Sequence, residues 1–248
     1  MKLDPHERSE IMGPNQRVVK KKKKDSLTLQ AYHLLKKKII SLDLEPGERL
    51  NDKKLALEMS LGRTPMREAM LKLEGENLII IDKAIYVKHI TIEDIKDLFE
   101  TLIVIERFAA RLASQRINAE QLREMKRVNK KIEEAMKKRD FLEITFQNSN
   151  FHQLLAKASG NRFISSILTS IQNEGQRLAY LSYSKEMAPD FHLDKHFELV
   201  GQHHQNIINF LENRQTEKLE NQIVEHVKLF RNRIMRYLTS KESESFIF

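Results

Sequence analysis

The chain has 248 residues, 40% of them hydrophobic, with seven glycines and five prolines, a length that suits two domains with cores of their own and a composition that argues against a turn-rich β sandwich. It has no cysteine, which excludes disulfides, thiolate metal sites and cysteine nucleophiles, so any metal must be held by His, Asp, Glu, Asn or water. The net charge of +8 is uneven: residues 1–90 hold 19 Lys/Arg against 13 Asp/Glu, a basic third that suits a polyanionic partner.

No apolar run reaches the length of a signal peptide core or a membrane span, so a cytoplasmic protein with no membrane partner is expected. Residues 1–25 end in the five lysines Lys20 to Lys24, whose mutual repulsion predicts a disordered basic tail, either solubilising or adding nonspecific phosphate attraction. From Leu27 onward, Ala31, Leu34, Leu35, Ile39 and Leu42 share one helical stripe. Pro46 and Gly47 stand in the order of a type II turn. A short helix over 52–59 follows, and Gly62 breaks it. Thr64 is then read as an N-cap and Pro65 as the first helical residue, with Ala69, Met70 and Leu73 facing inward. Leu78 to Ile81 and Ile85 to Val87 read as a hairpin about Asp82, Lys83 and Ala84. Three helices and a hairpin over residues 26–90 make a winged helix-turn-helix, whose third helix would be presented to DNA. Arg63 and Arg67 lie four apart, on one face of that helix's start, where free backbone N–H groups also favour phosphate.

From Thr91 the pattern is helix after helix, over about 91–115, 118–139, 140–158, 161–184, 191–212 and 215–240. Thr91 and Asp94 open the first, and Ser159-Gly160-Asn161 closes one helix and caps the next. Neither βαβ alternation nor a glycine-rich phosphate loop occurs. The fold class is therefore mostly α: an N-terminal winged helix-turn-helix, then an all-α bundle over 91–240 deep enough to enclose a pocket, and a tail at 241–248. In the third bundle helix Asn148 and His152 stand one turn apart on a mostly apolar face.

The run PGERLNDKKLALEMSLGRTPMREAMLKLEGENLI resembles the helix-turn-helix signature of GntR-family transcription regulators. FHQLLAKASGN, with the histidines downstream, resembles their FadR-type C-terminal ligand-binding domain (FCD); together the two cover about residues 27–240. The resemblance implies a homodimer that reads a short palindromic operator in double-stranded DNA and a helical domain that binds a small-molecule effector. It carries DNA contacts onto Lys53, Arg63 and Arg67, with Thr64 between the arginines. Lys53 departs from the arginine of some relatives and would act as a point charge toward phosphate. The wing tip, DKAI, departs from their Arg- and Gly-rich wings and leaves Lys83 as its one candidate contact.

The resemblance also implies a divalent metal site at Asn148, His152, His204 and His226. Register turns two of these inward independently: His204 is in phase with Val200, Ile207, Ile208 and Leu211, and His226 with Leu219, Ile223 and Phe230. Three imidazoles and an amide oxygen leave coordination positions open and suit zinc first, with nickel and manganese as alternatives; three core histidines in a polar network are the competing reading. His203 cannot face the same way as His204, and His192 and His196 read as solvent-facing. Leu102 stands where many relatives carry an arginine that clamps an organic acid. An organic acid thus stays a candidate effector without its clamp, and Arg177, Tyr180 and Tyr183 are candidate replacement donors in the pocket.

The expectation is a sequence-specific transcription regulator, repressor rather than activator, and not an enzyme. The rival is a metal-dependent helical-bundle enzyme with an accessory DNA-binding domain; against it, the neighbouring carboxylates Glu143 and Glu225 fall on other faces than the histidines. A nonspecific DNA-compacting protein would leave the inward histidines without a purpose.

Overall fold

The computed structural model describes residues 14–184 and 193–239, and the chain divides into two compact units near Lys88. In the first unit, α1 (Pro14–Ile40) is followed by β1 (Arg49–Leu50), α2 (Asp52–Glu58), α3 (Arg63–Gly75), β2 (Ile79–Ile81) and β3 (Ile85–Val87). α1 runs through the lysine run, so the expected disorder does not hold from Pro14 on; lysine is a good helix former, and after Pro14 no proline or glycine interrupts the segment. Residues 1–13 of the expected tail, and the tail at 241–248, lie outside the described residues.

Ala31, Leu35, Ile39, Met66, Met70 and Leu73 are buried and join α1 to α3. Tyr32 Oη donates to Glu76 Oε1 at 2.7 Å and Lys36 Nζ donates to Glu76 Oε2 at 2.9 Å, which ties α1 to the end of α3. Gly47 has the positive φ of 80° that the turn required, and its N–H donates to the Val87 carbonyl. That turn leads into a strand too short to read from sequence, β1, which pairs antiparallel with β3 to give the sheet order β1-β3-β2. The result is a winged helix.

The second unit is α4 (Ile92–Arg116), α5 (Ala119–Lys138), α6 (Phe141–Ala158), α7 (Arg162–Ser184), α8 (Leu193–Glu212) and α9 (Thr216–Leu238). Capping boxes at Thr91–Asp94 and Asn118–Gln121 start α4 and α5. Gly160, at φ 65°, ends α6 in the left-handed region, and Asn161 Oδ1 accepts from the Phe163 and Ile164 amides to start α7. α6 packs against α4, α5 and α7, and α9 against α4, α7 and α8. One apolar cluster joins Ala110, Met125, Val128, Phe151, Ile207 and Ile223; another joins Leu98, Phe99, Leu102, Leu168, Leu178 and Ile234. Glu220, buried on α9, receives Arg107 Nε at 2.9 Å and Arg111 Nε at 2.5 Å from α4. Among the described residues no helix is long and apolar enough to cross a membrane.

Candidate functional site

In the first unit all five residues expected to meet DNA are exposed: Lys53 in the first turn of α2, Arg63, Thr64 and Arg67 at the start of α3, and Lys83 at the β2–β3 tip. Thr64 is not the N-cap. Gly62, in extended backbone, holds that position without a side-chain bond, because the helix begins two residues earlier than expected; Pro65 then falls at the third helical position, still within the turn whose N–H groups need no intrahelical acceptor. Asp52, opening α2, holds both arginines: its Oδ2 accepts Arg63 Nε at 3.0 Å and lies 3.8 Å from Arg67 Nε. The Arg63 hydrogen bond, outweighing slight burial, keeps the Asp52 carboxyl below its ordinary pKa. One carboxylate therefore aligns two guanidinium groups on the exposed start of α3.

In the second unit α6, α8 and α9 bring His152, His204 and His226 together, with one ring nitrogen of each within 4.8 Å of the others. All three are buried, His204 completely. His152 Nε2 and His226 Nε2 are 3.2 Å apart. His204 Nδ1 donates to Asn129 Oδ1 at 3.1 Å, which leaves its lone pair on Nε2, a buried atom without a hydrogen-bond partner. Phe151 stacks on the His204 ring with centroids 4.3 Å apart. On the far side of His152, Nδ1 lies 3.0 Å from Glu106 Oε2, close enough for an ion pair but not aligned as a hydrogen bond. Burial first, and the neighbouring imidazoles second, hold His204 and His226 well below the usual histidine pKa.

These residues fit a divalent metal. Each ring can offer a lone pair, and two nitrogens each about 2.1 Å from one ion at a roughly tetrahedral angle would stand about 3.4 Å apart, near the 3.2 Å found for His152 and His226. Asn129 and Glu106 face the other ring nitrogens of His204 and His152, as partners that set tautomer and orientation do. Asn148, one turn before His152, lines the same cavity as Glu106, His152 and His226.

That cavity, of about 70 Å³, is bounded further by Leu102, Gln172, Gln176, Tyr183 and His196. Leu102 and Tyr183 are thus where the sequence reading put them. Arg177 and Tyr180 are not: they lie off the α7 face that carries Gln172, Gln176, Ala179 and Tyr183 to the cavity. Arg177 is fully buried near Glu174 and Asp94, and burial lowers its pKa to about 10. His196, read as solvent-facing, is buried and lines the cavity, because α8 begins at Leu193 and carries it in phase with Val200 and His204; His192 lies outside the described residues. His203 is half-buried, its ring 5.7 Å from that of His226.

Glu106 and Asn129 were missed, and Glu106 corrects the reading that no carboxylate stands beside the ligands. Both had a signal. Glu106 sits on the apolar stripe of Leu102, Ala109, Ala110 and Ala113, and Asn129 on that of Met125, Val128 and Ile132, and a polar residue on an inward stripe needs a polar partner.

The sequence matches the FCD domain over residues 97–229 and the bacterial regulatory proteins of the gntR family over residues 27–84. The chain belongs to the GntR family of transcription regulators. Among its relatives, the uncharacterized HTH-type transcriptional regulator YdhC of Bacillus subtilis (strain 168) is 26% identical over 80% of this chain and 86% of its own length. The HTH-type transcriptional repressor RspR of Escherichia coli (strain K12) is 24% identical over 80% and 85%. The structure of E. coli McbR/YncC superposes with a TM-score of 0.73 at 21% identity, over 86% of this chain and 99% of that one, which shows a shared fold. This GntR-family chain is therefore a transcriptional regulator with a DNA-binding domain and an effector-binding domain, and not an enzyme.

Two outcomes follow from the site's electrostatics. Neutral His204 and His226 take no proton in the folded state near pH 6.5, while unfolded histidines do, so stability is full above about pH 6.5 and falls as pH drops below it; the thermal midpoint of chelator-treated protein should decline from pH 7 to pH 5, and a flat profile would contradict the buried neutral rings. Asp52→Asn should weaken binding to a specific operator by up to about 1 kcal/mol, the scale of an exposed ion pair, and strengthen binding to random duplex by removing a negative charge. Movement of both affinities in the same direction would show that Asp52 does not align the arginines.

Proposed function

We propose that this regulator is a homodimeric repressor that reads a palindromic operator through Lys53, Arg63, Thr64, Arg67 and Lys83, and that a divalent metal at Asn148, His152, His204 and His226 helps its helical domain bind a small-molecule effector. The observation that carries the reading is the cavity whose wall includes His152 and His226, with His204 behind them: a buried site of neutral donors opening onto space for a ligand. Zinc is the ion these donors favour, and nickel and manganese are accommodated by the same set. When bound, such an ion would act as a Lewis acid toward oxygen ligands. The chain's own groups do the rest: Asn129 and Glu106 orient two of the rings, Phe151 shields His204, and Gln172, Gln176 and Tyr183 line the space for the ligand.

Repression is supported by the name of the relative RspR. A second copy of the chain is supported by α4, whose Val104 and Phe108, one turn apart, are 64% and 49% exposed, an apolar strip that a partner would cover. In a dimer, the recognition helices would be spaced to match two half-sites. The effector would shift that spacing only in so far as it binds one arrangement better than the other.

The reading is tested by selecting operator duplexes from a random pool and comparing their affinity with that of random DNA at physiological salt. The expected ratio is about 10³ or more, and Arg67→Ala should cost about 1–3 kcal/mol on the selected duplex with little change on random DNA. A wild-type ratio near one would rule out sequence-specific regulation.

A further inference from the structure

We infer that the cavity of the helical unit takes an uncharged small molecule bearing hydroxyl or amide groups, rather than a carboxylic acid. The inference rests on the reading of this cavity as the effector site and names the ligand class.

Among the described residues, no lysine or arginine lines the cavity. At the position where an arginine could hold a carboxylate stands Leu102, 5% exposed and facing the cavity. The cation nominated to replace it, Arg177, lies on another face of α7. Arg233 stands over the Tyr183 ring, 5.2 Å from its centroid, but it is committed elsewhere: its Nε donates to Ser182 Oγ at 3.3 Å and its Nη2 to the Ser182 carbonyl. His196 adds no charge, since burial, with Arg233 and Arg236 nearby, pushes its pKa down to about 3.

The one acidic side chain among the described lining residues is the buried Glu106, whose Oε2 lies 3.0 Å from His152 Nδ1. An acid entering this space would exchange water for a wall whose described residues offer neither lysine nor arginine, which is costly without a paired cation. A metal ion at the histidines would attract an anion, but among the described residues no lysine or arginine in the wall would pair with a second carboxylate at the acid's far end.

The uncharged polar side chains of the wall are of the other kind: Thr145, Asn148, Ser149, Gln172 and Gln176 bring hydroxyl and amide groups, donors and acceptors together, to its lining. A hydroxyl donates and accepts at once, and a primary amide does so at its two ends, so either group satisfies this mixed set while a carboxylate, which only accepts, does not. Val200, Val227 and Phe230 supply apolar wall between these points.

The test uses the full-length zinc-loaded protein and matched probes: malate against malamide, and tartrate against threitol, each titrated by calorimetry into wild type, Leu102→Arg and Glu106→Gln. The expected result is that the neutral member binds wild type at least tenfold tighter than its acid, that Glu106→Gln narrows the gap, and that Leu102→Arg reverses it. Acid binding to wild type as tight as or tighter than neutral binding overturns the inference. Silence of both members with wild type overturns it, whatever Leu102→Arg binds. Should Leu102→Arg fail to fold, the wild-type comparison and Glu106→Gln decide alone, and silence of both members in those two proteins overturns the inference. Zinc content is read on every sample: a chain that holds no zinc yet prefers the neutral probes defeats the metal reading only, and one that holds zinc and prefers the acids defeats this inference only.

Discussion

The helical unit is organised by a requirement to make three buried imidazoles converge. His152, His204 and His226 come from α6, α8 and α9 and are each at least nine-tenths buried, and burial keeps His204 and His226 uncharged. Such rings have few stable choices: they donate to one another, they meet a polar partner, or they share a cation. Here Asn129 fixes the direction of His204, Glu106 faces the outer nitrogen of His152, and Phe151 stacks on His204. Once those directions are set, the remaining nitrogens point at one region and the cavity opens beside it.

The same economy of charge appears in the winged unit with opposite exposure. Arg63 and Arg67 are in water, where a lone carboxylate adds little to stability, yet Asp52 touches both. Its effect is geometric: two flexible guanidinium groups lose some freedom, which would leave less ordering for a binding step that used them. In the helical unit burial makes charge scarce, and in the winged unit a local partner makes it directional.

Most of the fold was legible because it rests on periodicity and caps. Thr91 with Asp94, Gly160 and Asn161, and the Pro46-Gly47 turn each sit where local chemistry demands. The two-residue strand β1 was invisible, since its identity comes from pairing with β3 and from nothing in Arg49 or Leu50. The lysine run was misread by giving repulsion more weight than helix propensity. In the site, the histidines were legible because each stands on an apolar stripe. Glu106 stood on one too, but a carboxylate 46 positions before His152 has no spacing rule to connect them; only the packing of α4 against α6 does. His196 was assigned to solvent from the polarity of its neighbours, when the phase of α8 with Val200 and His204 was the better guide. Arg177 and Tyr180 were assigned by chemistry to a helix whose cavity-facing residues fall elsewhere.

The central claim is that His152, His204 and His226 hold one metal ion through their ring nitrogens. The most direct measurement is the X-ray absorption spectrum at the zinc edge of protein purified without a histidine tag and loaded with one equivalent of zinc. The account predicts a shell of light ligands at about 2.0–2.1 Å with the multiple-scattering pattern of three imidazoles, reduced to two in His204→Ala. A spectrum with no imidazole scattering, or one unchanged in that variant, would contradict it.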